Sequence, residues 1–581
     1  MLTPQKYYVG LATTYHDPAI AVVNSEGNVL FAEASERPLQ QKRAFSSAAD
    51  LREVVRRILT EYCDPGSDFV VVKPWSRKMQ KFMNFMCLLG TTNHELVPGR
   101  PEKMTKYLLS NDLLFTTLWI QYSAFHLSGG NLADILKTDF RSSRVSYVRV
   151  PHHHAHAATA CFTSPFAEAA CMVIDGQGEN GSMSYFAYRD GRLRRIFEFK
   201  GSESLGILYG ICTAFCGFNV EKGEEWKVMG LAAYGELDTE VLGALRDLVR
   251  VDGLSLKYPP LRQIEAWFER MKPKSRTKDM SALDVANLAF TTQFFYAEVM
   301  DQLLNNFYQL GISDNLALCG GCGLNSSYNG EITQRTKFKN LHVPSAPSDD
   351  GNALGAALLA YYQDHPGTKP KAEIHTPFLG SKMSKKTLDN LVAFGRLEKL
   401  RCLPDTIHRE AARLLAEGKL VGWVQGAAEF GPRALGNRSI LADPRPADMK
   451  DRINSLVKFR EEFRPFAPSI LDEFGEEYFE NYQVSPYMER TLKFKESAKK
   501  KVPAIVHVNA TGRLQSVRRE WNPRYYDLIK AFYELTAVPM LLNTSFNIMG
   551  KPIIHGVEDA IGLFYTTGLD ALVLEDYLIE K

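Results

Sequence analysis

The chain has 581 residues, of which 45% are hydrophobic and 23% charged, a composition typical of water-soluble globular proteins. This length exceeds what one hydrophobic core supports, so we expect two or more domains. The 69 Lys and Arg residues nearly balance the 67 Asp and Glu residues, and the net charge of +2 argues against a dedicated nucleic-acid binder. No apolar stretch is long enough to predict a membrane span.

The N-terminal segment leads directly into a predicted strand. Residues 1–12, M-L-T-P-Q-K-Y-Y-V-G-L-A, lack the charged, apolar and small-residue regions of a signal peptide. We therefore expect a cytoplasmic protein whose nine cysteines are reduced. Cys319-Gly-Gly-Cys322 has the spacing of a redox or zinc motif, but no second pair lies at zinc spacing, so we interpret it as two thiols in a glycine turn.

Two segments share one pattern of predicted strands. From Tyr7, a strand leads through the loop T-T-Y-H-D-P to the hairpin strands A-I-A-V-V and V-L-F-A-E-A. From Met172, a strand leads through G-Q-G-E-N-G-S to M-S-Y-F-A-Y, the turn R-D-G-R and a further apolar run. The repeat favours a duplicated two-lobed ATPase fold of the actin and hexokinase kind, with its loops facing each other across a cleft. Between the repeats, residues 47–140 are predicted to be largely helical and to cap that cleft.

Later elements complete the first part of the chain and lead to a boundary, beyond which we expect a second α/β domain. Leu316–Asn325 and Pro347–Tyr361 read as units of strand, glycine loop and helix, and amides at such a helix start attract anions. The passage D-H-P-G-T-K-P-K predicts a boundary, dividing the chain into 1–365 and 366–581. In the second part we expect an amphipathic helix over Ile407–Glu417 and then a buried strand, Leu420–Val424.

An arginine-rich turn in the second part predicts an anion site. The run G-P-R-A-L-G-N-R-S-I-L-A-D-P-R carries three guanidinium groups with almost no acid, and its glycines allow close backbone approach to a ligand. The next run, K-F-R-E-E-F-R-P-F-A-P, places further cations near aromatic rings. The alternative is a surface salt-bridge cluster. These cations are Arg433, Arg438, Arg445, Lys458, Arg460 and Arg464.

A histidine run in the first part predicts a metal site. In V-P-H-H-H-A-H-A, His152 and His156 are one helical turn apart and project from the same face. Carboxylates of the glycine loops, Asp175 and either Asp349 or Asp350, complete a set suited to Fe(II), Mn or Zn. Helical histidine pairs are also often solvated or satisfied within cores, so that alternative stays open.

The order of these motifs resembles the O-carbamoyltransferase family of the nodulation, tobramycin and cephamycin type. The resemblance covers most of both parts of the chain. The matching motifs are H-D-P-A at His16, H-H-H-A-H-A at His152, D-G-Q-G-E at Asp175, G-E-E-W-K-V-M-G-L-A-A-Y-G at Gly223, S-D-D-G at Ser348, G-P-R-A-L-G-N-R-S-I at Gly431, F-R-P-F-A-P-S-I at Phe463, R-L-Q at Arg513 and N-T-S-F-N at Asn543.

The resemblance implies a cytoplasmic, two-step enzyme that acts in natural product biosynthesis. A C-terminal YrdC-like α/β domain would make carbamoyl-adenylate from carbamoyl phosphate and ATP, with Mg²⁺ as a further cofactor. An N-terminal domain, similar to the threonylcarbamoyl-transferase subunit and holding Fe(II) or another divalent transition metal, would transfer the carbamoyl group to a hydroxyl. Neither nucleic acid nor membrane is an expected partner. The acceptor, the metal and the oligomeric state stay open.

The resemblance also implies roles for individual residues. His16 would be the base that deprotonates the acceptor, while Arg433 and Lys458 would act in adenylate formation. The metal ligands would be His152, His156, Asp175 and Asp349, with Asp349 preferred to Asp350. Carbamoyl phosphate and ATP would be held by Lys42, Arg433, Arg438, Lys458, Arg464, Arg513, Asn543 and Ser545.

Two other classes remain as alternatives. Two histidines with one carboxylate also occur in non-haem iron oxygenases, although these do not need a second domain rich in arginine. A tRNA-associated nucleotide-binding protein of the same fold is the other, and the near-neutral charge argues against it.

Overall fold

The computed structural model describes residues 5–79, 81, 128–142, 144–461 and 463–581. The described strands form three large sheets and one small hairpin. Two five-stranded sheets use strands that end by residue 342, and one nine-stranded sheet uses strands that start at residue 400. The chain is therefore an α/β protein, as the sequence predicts, and the predicted boundary at 365/366 falls between the two sets of strands.

The first sheet has the order β3-β2-β1-β4-β5. β1 pairs antiparallel with β2, which pairs antiparallel with β3, while β4 lies parallel to β1 and β5 parallel to β4. Both faces of β1 and β2 are buried, which suits their continuous apolar runs. The five strands are Lys6–Ala12, Ala19–Val23, Val29–Ala34, Asp68–Lys73 and Val145–Arg149.

The second sheet repeats the first. Its order is β8-β7-β6-β11-β12, again with two antiparallel hairpin pairings followed by two parallel pairings. The internal duplication predicted from the two hairpin segments is thus confirmed. The strands are Glu168–Ile174, Met183–Arg189, Arg192–Glu198, Asn315–Cys319 and Asn340–His342, and β9 (Arg250–Asp252) and β10 (Ser255–Lys257) form the separate hairpin.

The third sheet is mixed, with the order β13-β21-β20-β14-β15-β19-β16-β18-β17. Parallel pairs join β14 to β20 and β16 to β18, and the other neighbours are antiparallel. The predicted buried strand at residues 420–424 is β14. The strands β13 to β21 are Leu400–Cys402, Val421–Val424, Arg438–Ala442, Ala467–Leu471, Arg490–Lys493, Thr511–Val517, Met540–Ser545, Ala571–Leu574 and Tyr577–Glu580.

Helices cover the sheets, and the predicted amphipathic helix begins at Ile407 and ends at Ala416. The described α-helices of five or more residues are Arg52–Tyr62, Gly130–Thr138, His152–Phe162, Leu205–Phe215, Glu225–Leu231, Thr239–Leu248, Leu261–Met271, Ala286–Tyr308, Gly351–Asp364, Lys385–Phe394, Ile407–Ala416, Met449–Ile453, Pro523–Thr536 and Val557–Thr566. The short ones are Glu36–Leu39, Ser326–Asn329, Ile332–Arg335, Gly475–Tyr478 and Glu496–Lys499. None of these helices combines the length and apolar character needed to cross a membrane.

Two helices lie between the first two sheets. His152–Phe162, called here the histidine helix, and Gly351–Asp364 share one hydrophobic core with strands of both sheets. The two helices cross closely at Gly355. A Cβ at this position would lie 2.0 Å from the carbonyl oxygen of Ala155, so the crossing depends on glycine. This crossing brings residues at the start of each helix together.

The predicted helical cap over residues 47–140 is in part wrong. Residues 80 and 82–127 lie outside the described residues, so the cap itself is not tested. Within the described part, Asp68–Lys73 is a buried strand of the first sheet rather than helix. Its core sequence F-V-V-V is β-branched and flanked by polar residues, which is a strand pattern that the prediction overlooked.

Candidate functional site

The histidine helix begins directly after Pro151, and its first turn carries the predicted pair. Proline tolerates the position before a helix start because it has no amide hydrogen to satisfy there. His152 and His156 lie one turn apart, and both are buried. Their Nε2 atoms are 3.2 Å apart, so the two rings point at a common position.

Two carboxylates reach the same position from loops at strand ends. Asp175 directly follows β6, and Asp349 precedes the helix Gly351–Asp364. An oxygen of Asp175 lies 3.3 and 3.4 Å from the Nε2 atoms of His152 and His156, and an oxygen of Asp349 lies 3.3 Å from both. These four residues, called here the His/Asp cluster, are the predicted ligand set.

The charges of the His/Asp cluster balance one another. Burial by itself lowers the pKa of an imidazole, but the hydrogen bonds to Asp175 and Asp349 outweigh it and raise the pKa of His152 and His156. Burial likewise opposes ionisation of the two carboxyls, yet the imidazoles hold the pKa of both well below the usual range. A bound metal ion would require neutral imidazoles, and the two carboxylates would then balance the charge of one divalent cation.

The spacing of the His/Asp cluster fits a small divalent metal ion. Ligand bonds of about 2.0–2.2 Å at tetrahedral angles require donors to be about 3.3–3.6 Å apart. The five distances from imidazole to imidazole or carboxylate are 3.2–3.4 Å, and all four donor atoms lie within 4.8 Å of one another. Two nitrogen and two oxygen donors suit Fe(II), Mn or Zn.

Of the two adjacent carboxylates, only Asp349 reaches the histidines. The Asp350 side chain instead accepts a hydrogen bond from the amide of Gly351 at the start of the helix. Burial and the nearby acidic groups, Asp17 first among them, raise the pKa of Asp350 to about 7. Asp350 is therefore a helix cap rather than a member of the cluster.

His16 lies beside the cluster. Its Nδ1 is 2.9 Å from a carboxylate oxygen of Asp17 and 3.8 Å from the Asp349 oxygen that faces away from the histidines. Burial lowers the pKa of His16, but the carboxylates outweigh it and the net shift is upward. The ring is about 30% exposed and opens onto a large cavity.

One cavity of about 1700 Å³ extends from the His/Asp cluster to the C-terminal sheet. At one end it is lined by His16, Asp175 and Asp350, and at the other by Arg433 and Arg513. Lys42, which comes from the N-terminal part, also lines it. The predicted metal site and the predicted anion site therefore open into the same space.

Five cations line the C-terminal end of this cavity, and of these Lys458 is buried while the four arginines are partly buried. Called here the cation group, they are Arg433, Lys458, Arg460, Arg464 and Arg513. Burial lowers the pKa of all five, to about 9 for Arg433 and to about 10 for Arg464 and Arg513. Glu461 pairs with Arg464, and the positive charge that remains in the group favours binding of an anion.

Polar residues around Lys458 complete this end. Its ammonium donates to the carbonyl and hydroxyl oxygens of Ser545 and to both oxygens of Asn547. Asn543 donates to the carbonyl of Ala434, and its own Oδ1 is buried with no hydrogen-bond partner among the described residues. Asn543 and Ser545 both line the cavity, as expected of ligand-binding residues.

Arg438 does not lie where the sequence predicts. It is fully buried at the start of β15, and its guanidinium donates to four main-chain carbonyls, of Gln425, Asn437, Ser381 and Gly426. It does not line the cavity, so it holds the loop in place instead of facing a ligand. Arg445 is likewise engaged elsewhere, because it pairs with Asp443 at 2.6 Å and stacks on Phe532.

Two residues of the site are absent from the ligand-binding residues that the resemblance implies. Arg460 belongs to the cation group and stacks on Phe466, with 4.3 Å between its guanidinium carbon and the ring centre. Trp226 also lines the cavity, and its ring centre lies 3.9 Å from the guanidinium carbon of Arg464 and 5.9 Å from the ammonium of Lys42. Arg460 was among the cations of the predicted anion site, and Trp226 lies within the G-E-E-W-K motif at Gly223, but neither was assigned a ligand contact.

The cysteines behave as the sequence predicts. All eight that the structure describes are free, and seven are buried. Cys319 ends β11, and Cys322 lies in the glycine turn that follows.

Two family profiles together match most of the chain. "Carbamoyltransferase N-terminus" matches residues 7–358, and "Carbamoyltransferase C-terminus" matches residues 412–581. The chain belongs to the carbamoyltransferase family and is a transferase. The resemblance drawn from the motifs is confirmed, and family membership argues against an oxygenase.

Nodulation proteins are among the relatives. The chain is 38% identical to nodulation protein NolNO of Sinorhizobium fredii over 466 residues, which are 78% of this chain and 66% of that protein. It is 36% identical to NolO of Bradyrhizobium diazoefficiens over 443 residues, 74% of this chain and 78% of that protein. It is 27% identical to nodulation protein U of S. fredii over 562 residues, 92% of this chain and 93% of that protein.

Similarity to solved structures is much weaker. The activator of 2-hydroxyisocaproyl-CoA dehydratase from Clostridium difficile is 12% identical, with a TM-score of 0.32 over 62% of this chain and 96% of that one. HypF of T. kodakarensis is 13% identical, with a TM-score of 0.32 over 64% of this chain and 50% of that one.

Proposed function

We propose that the chain is an ATP-dependent O-carbamoyltransferase that works in two steps. In the first, carbamoyl phosphate is hydrolysed to carbamate and phosphate, and a carbamate oxygen attacks the α-phosphorus of ATP. Carbamoyl-adenylate forms and pyrophosphate leaves. In the second, a hydroxyl of a sugar or other small natural product attacks the carbamoyl carbon and AMP leaves.

The observation that carries this proposal is the single cavity with two chemically different ends. Carbamoyl phosphate and ATP are both polyanions, and the cation group matches them in charge. Carbamoyl-adenylate is labile in water, and a shared cavity gives it a short path from one end to the other.

At the C-terminal end, positioning and charge account for the first step. Arg433, Arg513 and Arg464 offer planar donors to phosphate oxygens, and Lys458 is a point charge held firmly by Ser545 and Asn547. Such fixed donors stabilise the charge that develops on the departing pyrophosphate. Mg²⁺ bound with ATP would share that task.

At the N-terminal end, His16 is the group placed to take the acceptor proton. The imidazole Nδ1 is held by Asp17, which leaves Nε2 to receive a proton from a hydroxyl in the cavity. The His/Asp cluster would hold Fe(II) or another divalent ion, which when bound supplies Lewis acidity next to the intermediate. Lys42 is placed to contact the nucleotide phosphate.

The same reasoning extends to the fold. We propose that the duplicated lobes in residues 1–365 form an actin/hexokinase-like ATPase domain that performs carbamoyl transfer. The sheet in residues 366–581 would form a YrdC-like domain that makes the adenylate. The repeated strand order of the first two sheets supports the first assignment.

The direct test is to incubate the protein with ATP, labelled carbamoyl phosphate and a panel of hydroxyl-bearing sugars and natural products. We expect one acceptor class to gain the mass of a carbamoyl group, only when ATP is present. The variant Arg433→Met removes a cation that lines the cavity. The variant Arg445→Met removes a cation that does not line it and serves as the matched control. Label transfer that does not need ATP would contradict the proposal.

A further inference from the structure

Both histidines of the His/Asp cluster present the same ring nitrogen to it. Nε2 of His152 and Nε2 of His156 each lie 3.3–3.4 Å from the oxygens of Asp175 and Asp349. A neutral imidazole that offers a lone pair at Nε2 must carry its proton at Nδ1. Each ring therefore needs a hydrogen-bond acceptor on the side that faces away from the cluster.

For His156 that acceptor is a thiol. Sγ of Cys319 lies 3.7 Å from Nδ1 of His156 and 3.2 Å from the carbonyl oxygen of Pro347. The carbonyl of Pro347 can only accept, so the thiol must donate its own hydrogen to it. The thiol sulfur can then only accept a hydrogen bond from His156, which places the imidazole hydrogen at Nδ1. Pro347 is two residues before Asp349, so this chain of contacts also ties the ring to a loop that carries a carboxylate of the cluster.

For His152 the acceptor is an amide. Nδ2 of Asn352 lies 3.4 Å from Nδ1 of His152, while Oδ1 of Asn352 is buried with no hydrogen-bond partner among the described residues. A buried carbonyl oxygen without a hydrogen-bond donor is destabilising. Turning the amide by 180° exchanges two atoms of nearly equal size and brings Oδ1 to the ring. The Nδ1 hydrogen then has an acceptor, and the amide oxygen has a donor.

We propose that Cys319 and Asn352 are positioning residues that hold the protons of His156 and His152 at Nδ1 and so direct both Nε2 lone pairs into the cluster. The inference rests on the proposed metal site and adds the residues that prepare it. Such outer partners fix the tautomer and orientation of a ligating imidazole, and their loss typically weakens metal binding about 10–100-fold. Cys319 ends β11 and Asn352 lies in the first turn of a helix, so both are on rigid elements.

The test measures the affinity of the full-length protein for Co²⁺ by competition with a chelating dye. We expect Cys319→Ala and Asn352→Leu each to bind Co²⁺ about 10–100-fold more weakly than wild type, with a shifted visible spectrum of the bound ion. The matched control is Cys171→Ala, a buried thiol on the neighbouring strand β6 that faces Cys161 instead of an imidazole. The control should bind as wild type does.

Conservative variants separate positioning from packing. Cys319→Ser and Asn352→Asp keep an acceptor at Nδ1, so we expect affinity closer to wild type than in Cys319→Ala and Asn352→Leu. If Cys319→Ala does not fold, Cys319→Val fills the space without an acceptor and must show the same weakening. Co²⁺ affinity in the Cys319 and Asn352 apolar variants equal to that of Cys171→Ala would overturn the inference.

His152→Ala distinguishes this inference from the function on which it rests. If His152→Ala loses Co²⁺ while Cys319→Ala and Asn352→Leu do not, only the positioning role fails. If His152→Ala also binds Co²⁺ as wild type does, the metal site itself is wrong.

Discussion

The His/Asp cluster and the cation group lie at two ends of one cavity and differ in how their charges are balanced. In the cluster, every imidazole meets a carboxylate at 3.3–3.4 Å, and the charges offset one another before any ligand arrives. In the cation group, buried donors on Arg460, Arg464 and Arg513 have no hydrogen-bond partner among the described residues.

This difference indicates two kinds of binding. A set of donors already spaced about one metal–ligand bond length from a common point needs little rearrangement to bind a cation, so it can retain the ion through many turnovers. Buried guanidinium donors that lack partners gain most when an anion enters, which suits substrates that come and go in each cycle. The metal ion that stays bound and the substrates that are consumed thus bind at sites of opposite charge preference.

The largest expected effect is loss of metal. In the double variant His152→Ala, His156→Ala, the bound transition metal should fall from about one ion per chain to nearly none, because half of the donors are removed. Elemental analysis of the purified protein measures this. Arg460→Met, at the other end of the cavity, is the control and should keep its metal. Equal metal content in the double variant and wild type would remove the metal site from the account.

The second effect concerns the cation group. Arg460→Met should reduce pyrophosphate release by about 100-fold, since a charge-assisted contact to a developing anion is worth on the order of 3 kcal/mol. Arg445→Met, an arginine from the same basic region that pairs with Asp443, should release pyrophosphate at nearly the wild-type rate. Similar losses in both variants would mean that overall charge, and not the cavity, matters.

The smallest effect separates the two adjacent carboxylates. Asp349→Asn should weaken metal affinity by about 10-fold or more, because it removes an anionic donor. Asp350→Asn should change it much less, since its carboxyl caps the helix at Gly351 and does not reach the histidines. Chelator competition on both variants measures the difference. A greater loss in Asp350→Asn would show that the donor assignment is off by one residue.

The sequence predicted local geometry better than it predicted side-chain direction. The pairing of His152 with His156 follows from the helical repeat alone, and the duplicated hairpins follow from the alternation of apolar runs and polar turns. Arg433 and Arg438 could not be separated in this way, because which side of the turn each faces depends on packing around Ser381 and Gln425. For Arg445 a signal existed, since Asp443 lies two residues earlier and forms the ion pair.

Some features depended on contacts between distant parts of the chain. The contact of Trp226 with Arg464 joins residues far apart in sequence, so no periodic pattern of residues along the chain predicts it. The supporting contacts of Cys319 and Asn352 also depend on how strand β11 and the helix Gly351–Asp364 pack against the histidine helix. Secondary-structure propensity describes each segment by itself, whereas these contacts arise from tertiary packing between segments.

The measurement that tests the central claim most directly follows the two half-reactions separately in Arg433→Met and His152→Ala. We predict that Arg433→Met loses carbamoyl-phosphate-dependent pyrophosphate release by about 100-fold or more and therefore also loses acceptor carbamoylation. His152→Ala should release pyrophosphate in a first turnover as wild type does, yet transfer no carbamoyl group. If His152→Ala loses first-turnover pyrophosphate release as completely as Arg433→Met, the two ends of the cavity form one composite site and the account is wrong.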